Sequence, residues 1–325
     1  MLDNDTLKTK IALVEQQLAG TEVVMKLLRE IRDELKEQST YHLLMEEIRQ
    51  LKKSLGDHHI EYADEFEILR ESLQGTTWPM AVEPGSVPDS ESGKEHRAEN
   101  MIQFVVTDYL KDLKFLDYGT GEGHVVPAAA TQETTISVGY DIKDYGWDRY
   151  EQSDKYWLTT EWEKVKQNGP YDVILMFDVL DHAENEDPIQ ILRKVKDVLK
   201  HDGKLYIKCH PWSSKHGTHL YEQDINKAYA HLIFDEVELS RIYGKTGKFT
   251  LPVTHPVQTY RDWFKDADWE IDSEYVNKSK IEKFFLKKEF VDRISKHYPK
   301  ENDFQKYISI DAIDYVLKPK ENQIW

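Results

Sequence analysis

KFLDYGTGEGH, residues 114–124, is the stretch on which the reading of this chain turns. The apolar run through Tyr118 predicts a short strand, and the residues after His124 follow a helical pattern. Between them stand Gly119, Gly121 and Gly123, with Thr120 inside the run. Glycines so spaced let the backbone turn tightly and let a ligand approach with no Cβ in the way. Asp117 precedes the first glycine by two residues, and a carboxylate there suits a cationic amino group better than a pyrophosphate. The dinucleotide fingerprint would place its third glycine at position 124, where this chain has His124, so a nicotinamide cofactor is the poorer reading.

Outward from the loop, short apolar runs alternate with helical patterns, which predicts βαβ units and a mainly parallel sheet with helices on both faces. Further strands are expected at TISVGYD (135–141), YDVILMFD (171–178), GKLYIKCH (203–210), DWEIDSEYV (268–276) and IDAIDYVL (310–317). YDVILMFD is nearly continuous in apolar residues, as a central strand buried on both faces should be. A helix is expected ahead of the loop, from Glu99 to Leu110. Another should open at Asp187 and Pro188 and end at His201-Asp202-Gly203. The second strand closes on Asp141, 22 residues after Gly119, where an acid can accept both hydroxyls of an adenosine ribose.

DYGTGEG followed by GYD resembles the first two motifs of the class I S-adenosylmethionine-dependent methyltransferases, whose first motif usually reads D-x-G-x-G-x-G. YDVILMFDVLDHA (171–183) is similar to that family's fourth strand and following loop, and LRKVKDVLKHDGKLYIK (192–208) to its next helix and fifth strand. The likeness covers roughly residues 97–320 and implies a Rossmann-like domain with a mainly parallel seven-stranded sheet. It implies S-adenosylmethionine as methyl donor and S-adenosylhomocysteine as product. By the same resemblance Asp117, Gly119, Thr120, Gly121 and Gly123 would hold the methionine part, Asp141 the ribose, and Phe177 and Asp178 would border the cofactor. The family often places an Asp after strand three for the adenine amino group. Here the stretch is YWLTTEW (156–162), which leaves Thr160, Glu161 or a stacked Trp for that task.

Methyl transfer from a sulfonium is an in-line displacement, for which a protein aligns nucleophile and methyl carbon and excludes water. A hydroxyl or ammonium acceptor also profits from a general base, a role that His suits at neutral pH. Two histidine-bearing stretches fall past the ends of strands four and five, where such a fold places its substrate. One is Asp181-His182, and the other is CHPWSSKHGTHLY (209–221) with His210, His216 and His219. These four are the candidate catalytic residues. His210, His216 and His219 also raise the question of a metal, which needs about three converging ligands, and none is assigned. The strand-four sequence FDVL (177–180) lacks the [DNS]-P-P-[YFW] motif of enzymes that methylate DNA bases. A small molecule, sugar, lipid or protein side chain is the expected acceptor. Residues from about Leu220 to Tyr260 read as an insertion covering it, and another insertion, roughly Lys278 to Phe304, separates the last two strands.

Residues 1–74 hold no proline, and apolar residues recur there at three- and four-residue steps. Leu7, Ile11, Val14 and Leu18, then Val24, Leu28, Ile31 and Leu35, then Leu44, Ile48, Leu51 and Leu55 form narrow stripes that share no single heptad register. A stuttered coiled-coil arm for self-association, or several shorter helices folded on one another, would bury them. GTTWPMAVEPGSVPDSESGKE (75–95), with three prolines and three glycines, reads as a linker of roughly 25 Å ending near residue 96. Trp78 and Met80 are unexpected in a solvated linker and suggest docking. The expected layout is an arm (1–74), a flexible linker (75–96) and a methyltransferase domain (97–325).

Lysine and arginine number 43 against 60 aspartates and glutamates, a formal charge of −17 that argues against a nucleic-acid partner. No apolar run is long enough to span a membrane, and the first residues lack a signal-peptide profile. The single cysteine, Cys209, fits a reducing cytoplasmic setting. The competing reading is a structural component of a large complex or virus particle that keeps the fold without turnover. The arm motivates it, because a small-molecule methyltransferase has no need of one.

Overall fold

The computed structural model describes residues 58–86, 90–183, 187–244, 254–298 and 304–320. The chain forms two compact units, Met1–Ile68 and Leu69–Trp325. Of the first, only the opening of helix α1 (His58–Gln74) is described. The stripes from Leu7 to Leu55, and with them the expected coiled-coil arm, lie outside the described residues.

The second unit is built on β1 (Lys114–Tyr118), β2 (Ile136–Tyr140), β3 (Tyr156–Thr159), β4 (Tyr171–Phe177), β5 (Leu199–Cys209), β6 (Trp269–Lys278) and β7 (Ile310–Pro319). They form one sheet in the order β3-β2-β1-β4-β5-β7-β6, parallel except that β7 runs antiparallel to both neighbours. Side chains alternate between the two faces of a strand, and the sequence obeys this on the central strands. Leu116, Tyr118, Ile174 and Met176 pack into one core layer. Phe115, Val173 and Leu175 enter the other, against Ala98 and Ile102. Chain order reverses between β1 and β4, which opens the crevice in which such sheets bind ligands.

Three expectations need correction. The helix ahead of the loop is α2 (Glu91–Phe104), not Glu99–Leu110, because the Ser90 side chain accepts from Gly93 N and starts the helix earlier. His201-Asp202-Gly203 does not end the next helix: that helix closes at Lys196, and the three residues belong to β5, at a register shift between Tyr171 and Val173 on β4. The stretch from residue 75 does not run free. Trp78 is only 2% exposed and packs edge-on against Phe284, Phe285 and Phe290. Its indole N–H donates to Ala228 O, Ala228 N donates to Pro79 O, and Asn226 exchanges two hydrogen bonds with the Val82 backbone. A buried Trp supplies enough apolar contact to hold a stretch that has little regular structure of its own. Met80, the other expected anchor, stays exposed.

Between β5 and β7 the chain adds short helices that include α3 (Ala230–Ile233) and α4 (Glu236–Tyr243). It then adds α5 (Val257–Asp266), and α6 (Lys288–Ile294) follows β6. Buried Arg293 ties α6 to α3 and α4 by donating to Ile233 O and to both Glu238 carboxylate oxygens. No described helix is long and apolar enough to cross a membrane.

Candidate active site

The glycine loop leaves β1 with Gly119, Gly121 and Gly123 all at positive φ, a region that L side chains rarely enter. At Gly119 a Cβ would collide with Val179 Cγ2, and at Gly123 it would lie 2.8 Å from Leu158 Cδ1, whereas Gly121 faces open space. The loop is held from below and from one side. Gly119 N and Thr120 N both donate to Tyr140 O at 2.7 and 3.0 Å, and the Trp147 indole donates to Gly121 O at 2.8 Å.

Two acids flank this loop. Thr120 Oγ1 donates to Asp117 Oδ2 at 2.7 Å, and Gly121 N donates to Asp141 Oδ2 at 2.9 Å. Asp117 is 3% exposed; burial first, then the charge of Asp141, pushes its carboxyl up to about 7 against the pull of Thr120. Neither acid has an ion-pair partner among the described residues. A ligand carrying positive charge over Gly121 would answer both, so the arrangement fits a sulfonium amino acid. Ile142, directly after Asp141, is 73% exposed and offers an apolar surface beside it. Beyond β3, Thr160 and Glu161 are both exposed, and the Glu161 backbone N–H donates to Thr159.

Phe177 and Asp178 end β4 beside this loop, and the Phe177–Lys208 register brings the end of β5 alongside. Arg97 of α2 stacks over the Phe177 ring at 5.3 Å and reaches to 3.9 Å from Asp178 Oδ2. His210 follows β5, and its Nε2 stands 3.4 Å from Asp178 Oδ1. The loop after β4 is fixed by Asp181, which is fully buried and accepts from His210 N and from the Tyr260 hydroxyl, both at 2.8 Å. Burial and the neighbouring Asp178 push the Asp181 carboxyl up to about 7.

All four candidate histidines meet in one run of ring contacts. His182 lies 5.5 Å from His219, His219 lies 6.2 Å from His216, and His216 lies 4.8 Å from His210. Their settings differ. His182 is exposed. Burial first, then the neighbouring imidazoles, lowers His216 to about 2 and His219 to about 3, so both are neutral at physiological pH. His210 Nδ1 is 2.9 Å from Asp311 O, so this nitrogen carries the hydrogen and leaves Nε2 as the basic atom facing Asp178. Among the described residues, the group of three or more His, Cys, Asp or Glu side chains with ligand atoms close enough for one metal is Glu91, Glu122 and His124, not the histidine run. Lys94 and Arg149 already pair with those glutamates. Cys209 is fully buried and its thiol is pushed well up, which removes it as a nucleophile.

Sequence reasoning missed Arg97, Tyr260, Asp311 and the structural part of Asp181. Only the last had a legible signal, an acid beside His182 in the loop after a central strand.

This sheet order, with a glycine loop between two strand-end acids at the reversal, is that of a Rossmann-like methyltransferase fold. The chain belongs to the methyltransferase-domain family, whose sequence model matches residues 90–274. Among solved structures it is similar to an S-adenosylmethionine-dependent methyltransferase from Archaeoglobus fulgidus, at 14% identity and TM-score 0.44, covering 70% of this chain and 95% of that one. A second, from Clostridium acetobutylicum, shows 11% identity and TM-score 0.42 over 69% and 91% of the two chains. Magnesium protoporphyrin IX methyltransferase from Synechocystis, with bound S-adenosylhomocysteine, shows 13% identity and TM-score 0.40 over 70% and 84%. No curated protein matches the chain.

Proposed function

We propose that this methyltransferase holds its cofactor between the glycine loop and Asp141 and delivers the methyl group to an acceptor resting against His210. In this reading Asp117, with Gly119, Thr120, Gly121 and Gly123, takes the amino-acid end of S-adenosylmethionine. Asp141 takes the ribose hydroxyls, Ile142 covers the adenine, and Phe177 and Asp178 border the methyl-bearing end. The bound cofactor supplies an electrophilic methyl carbon. The observation that carries the assignment is the pair of uncompensated acids on either side of a loop whose middle glycine faces open space.

His210 is the best placed of the four histidines to accept a proton. Its hydrogen-bearing Nδ1 is held by Asp311 O, and Asp178 stands ready to stabilise the imidazolium that results. His216 and His219 line the acceptor side, and His182 stands at its exposed rim. The acceptor is a small molecule, sugar, lipid or protein side chain. Self-association through residues 1–74 is part of the same proposal and rests on the apolar stripes of the sequence alone.

Calorimetric titration of S-adenosylhomocysteine into wild type and Asp141→Ala tests the cofactor half. Loss of the carboxylate removes charge-assisted hydrogen bonds worth roughly 1.5–3 kcal/mol, or about 10- to 100-fold in affinity. Equal affinity in a well-folded variant would refute the ribose assignment.

A further inference from the structure

One face of α2 crosses the crevice in three-residue steps, through Glu91, Lys94 and Arg97. Glu91 Oε2 lies 3.0 Å from His124 Nε2, and Lys94 Nζ donates to both Glu122 carboxylate oxygens at 2.9 and 2.7 Å. These contacts pin the helix to the far side of the glycine loop, and the next step brings Arg97 over the end of β4. Strand register sets what lies opposite. Asp117 pairs with Leu175, and Leu175 packs into the layer that Ala98 and Ile102 of α2 cover, so Asp117 belongs to the same sheet face. Phe177, two residues beyond Leu175, is on that face as well and level with Gly119. A Cβ on Gly119 would strike Val179, so the tail of β4 stands directly against the loop. A carboxyl on β1 and a guanidinium on α2 therefore lie over neighbouring strand ends, on one face.

Arg97 is exposed, and its guanidinium carbon stands 5.3 Å from the Phe177 ring centroid. Asp178 Oδ2 comes only to 3.9 Å, beyond hydrogen-bond distance, and Asp178 also faces His210 at 3.4 Å. Neighbouring cations are engaged more closely. Lys94 is held by Glu122, Arg149 donates to Glu122 O at 2.6 Å, and Lys208 donates to Asp314 at 2.9 Å. A guanidinium offers five N–H donors in a fixed fork that matches a carboxylate. The amino-acid end of S-adenosylmethionine carries an ammonium and a carboxylate on one carbon. Asp117 answers the ammonium. The carboxylate would enter a crevice that already holds Asp117, Asp141 and Asp178, where an anion needs a cation beside it.

We infer that Arg97 is the partner of the cofactor's carboxylate, so that Asp117 and Arg97 grip the amino-acid end from its two charges. This rests on the cofactor reading of the same crevice. It makes Arg97 a binding residue that selects an amino-acid-bearing nucleoside over one that lacks the carboxylate.

The test is calorimetric titration of three ligands into wild type, Arg97→Met and Arg97→Lys. The ligands are S-adenosylhomocysteine, its decarboxylated analogue, which keeps the ammonium, and 5′-methylthioadenosine, which lacks both charges. Arg97→Met keeps an apolar stem beside Phe177 and should bind S-adenosylhomocysteine about 10- to 100-fold more weakly, with the other two ligands within about twofold of wild type. Arg97→Lys keeps the charge without the fork and should recover part of the loss. Equal weakening of all three ligands by Arg97→Met overturns the proposal, because a lost carboxylate contact cannot weaken ligands that have no carboxylate. Affinity for S-adenosylhomocysteine within about twofold of wild type in Arg97→Met overturns it too, while leaving the cofactor reading intact. A well-folded wild type that binds none of the three ligands overturns the cofactor reading, and the role of Arg97 with it.

Discussion

Asp117→Asn should make the ligand-free protein more stable and the cofactor site worse, and the first effect should depend on pH. The Asp117 carboxyl is pushed from an ordinary 3.8 to about 7 by burial and by Asp141. A shift of that size, at 1.36 kcal/mol per unit, makes the ionised side chain cost roughly 4 kcal/mol at pH 8. An amide removes the charge and keeps an acceptor for Thr120 Oγ1, but its own N–H groups lose roughly 1–3 kcal/mol if unpaired. The net gain is about 1–3 kcal/mol, a rise in Tm of about 2–10 °C for a unit of this size.

Because the folded carboxyl holds its proton more tightly than the unfolded one, its favourable contribution is full below pH 3.8 and is lost as pH rises through about 7. The advantage of the variant should therefore be largest at pH 8 and shrink toward pH 5. Thermal melts of both proteins across that range, without ligand, measure it. In parallel, calorimetry should show S-adenosylhomocysteine bound about 10- to 100-fold more weakly by the variant, since an ammonium loses its carboxylate. A variant that melts lower at pH 8, or by a margin that does not change with pH, refutes the argument from burial. Undiminished affinity refutes the partner role.

Two further changes test the frame around the site. Gly119→Ala drives a Cβ into Val179 at a φ of 81°, so it should cost about 1–3 kcal/mol in urea unfolding and weaken cofactor binding at least tenfold; wild-type values in both would show a more pliable loop. Trp78→Ala removes a side chain packed against three phenylalanines and should lower stability by about 3–5 kcal/mol, read as a shift in urea midpoint. A loss under about 1 kcal/mol would mean that docking of Trp78 contributes little.

The parts of this molecule that were legible in advance are those whose chemistry is local. A glycine loop needs its glycines in sequence, and a strand-end acid must follow an apolar run, so Asp117 and Asp141 could be named from position alone. The histidine cluster was legible more coarsely. Strands four and five were expected to end together, but which of the four rings would face Asp178 depended on the register that sets Phe177 against Lys208. Non-local contacts were hidden. Trp78 finds its aromatic partners about 150 to 210 residues away in sequence, and the prolines around it signal only the absence of regular structure. Asp181 looked like the neighbour of a histidine, yet it is the buried brace joining the β4 loop, β5 and α5 through His210 N and Tyr260. The helix limits of α2 turned on one serine cap in a stretch that reads as linker.

The position of β7 has a consequence for how the protein is made. β6 is synthesised about thirty residues before β7, yet β7 lies between β6 and β5 in the finished sheet. Until β7 leaves the ribosome, β6 has no neighbour and the flank of β5 is an open edge, the kind of surface that invites pairing with another chain. Every truncation product that stops short of residue 310 should share that hazard, and the window of risk for the nascent chain closes only as its seventh strand slides into an interior slot.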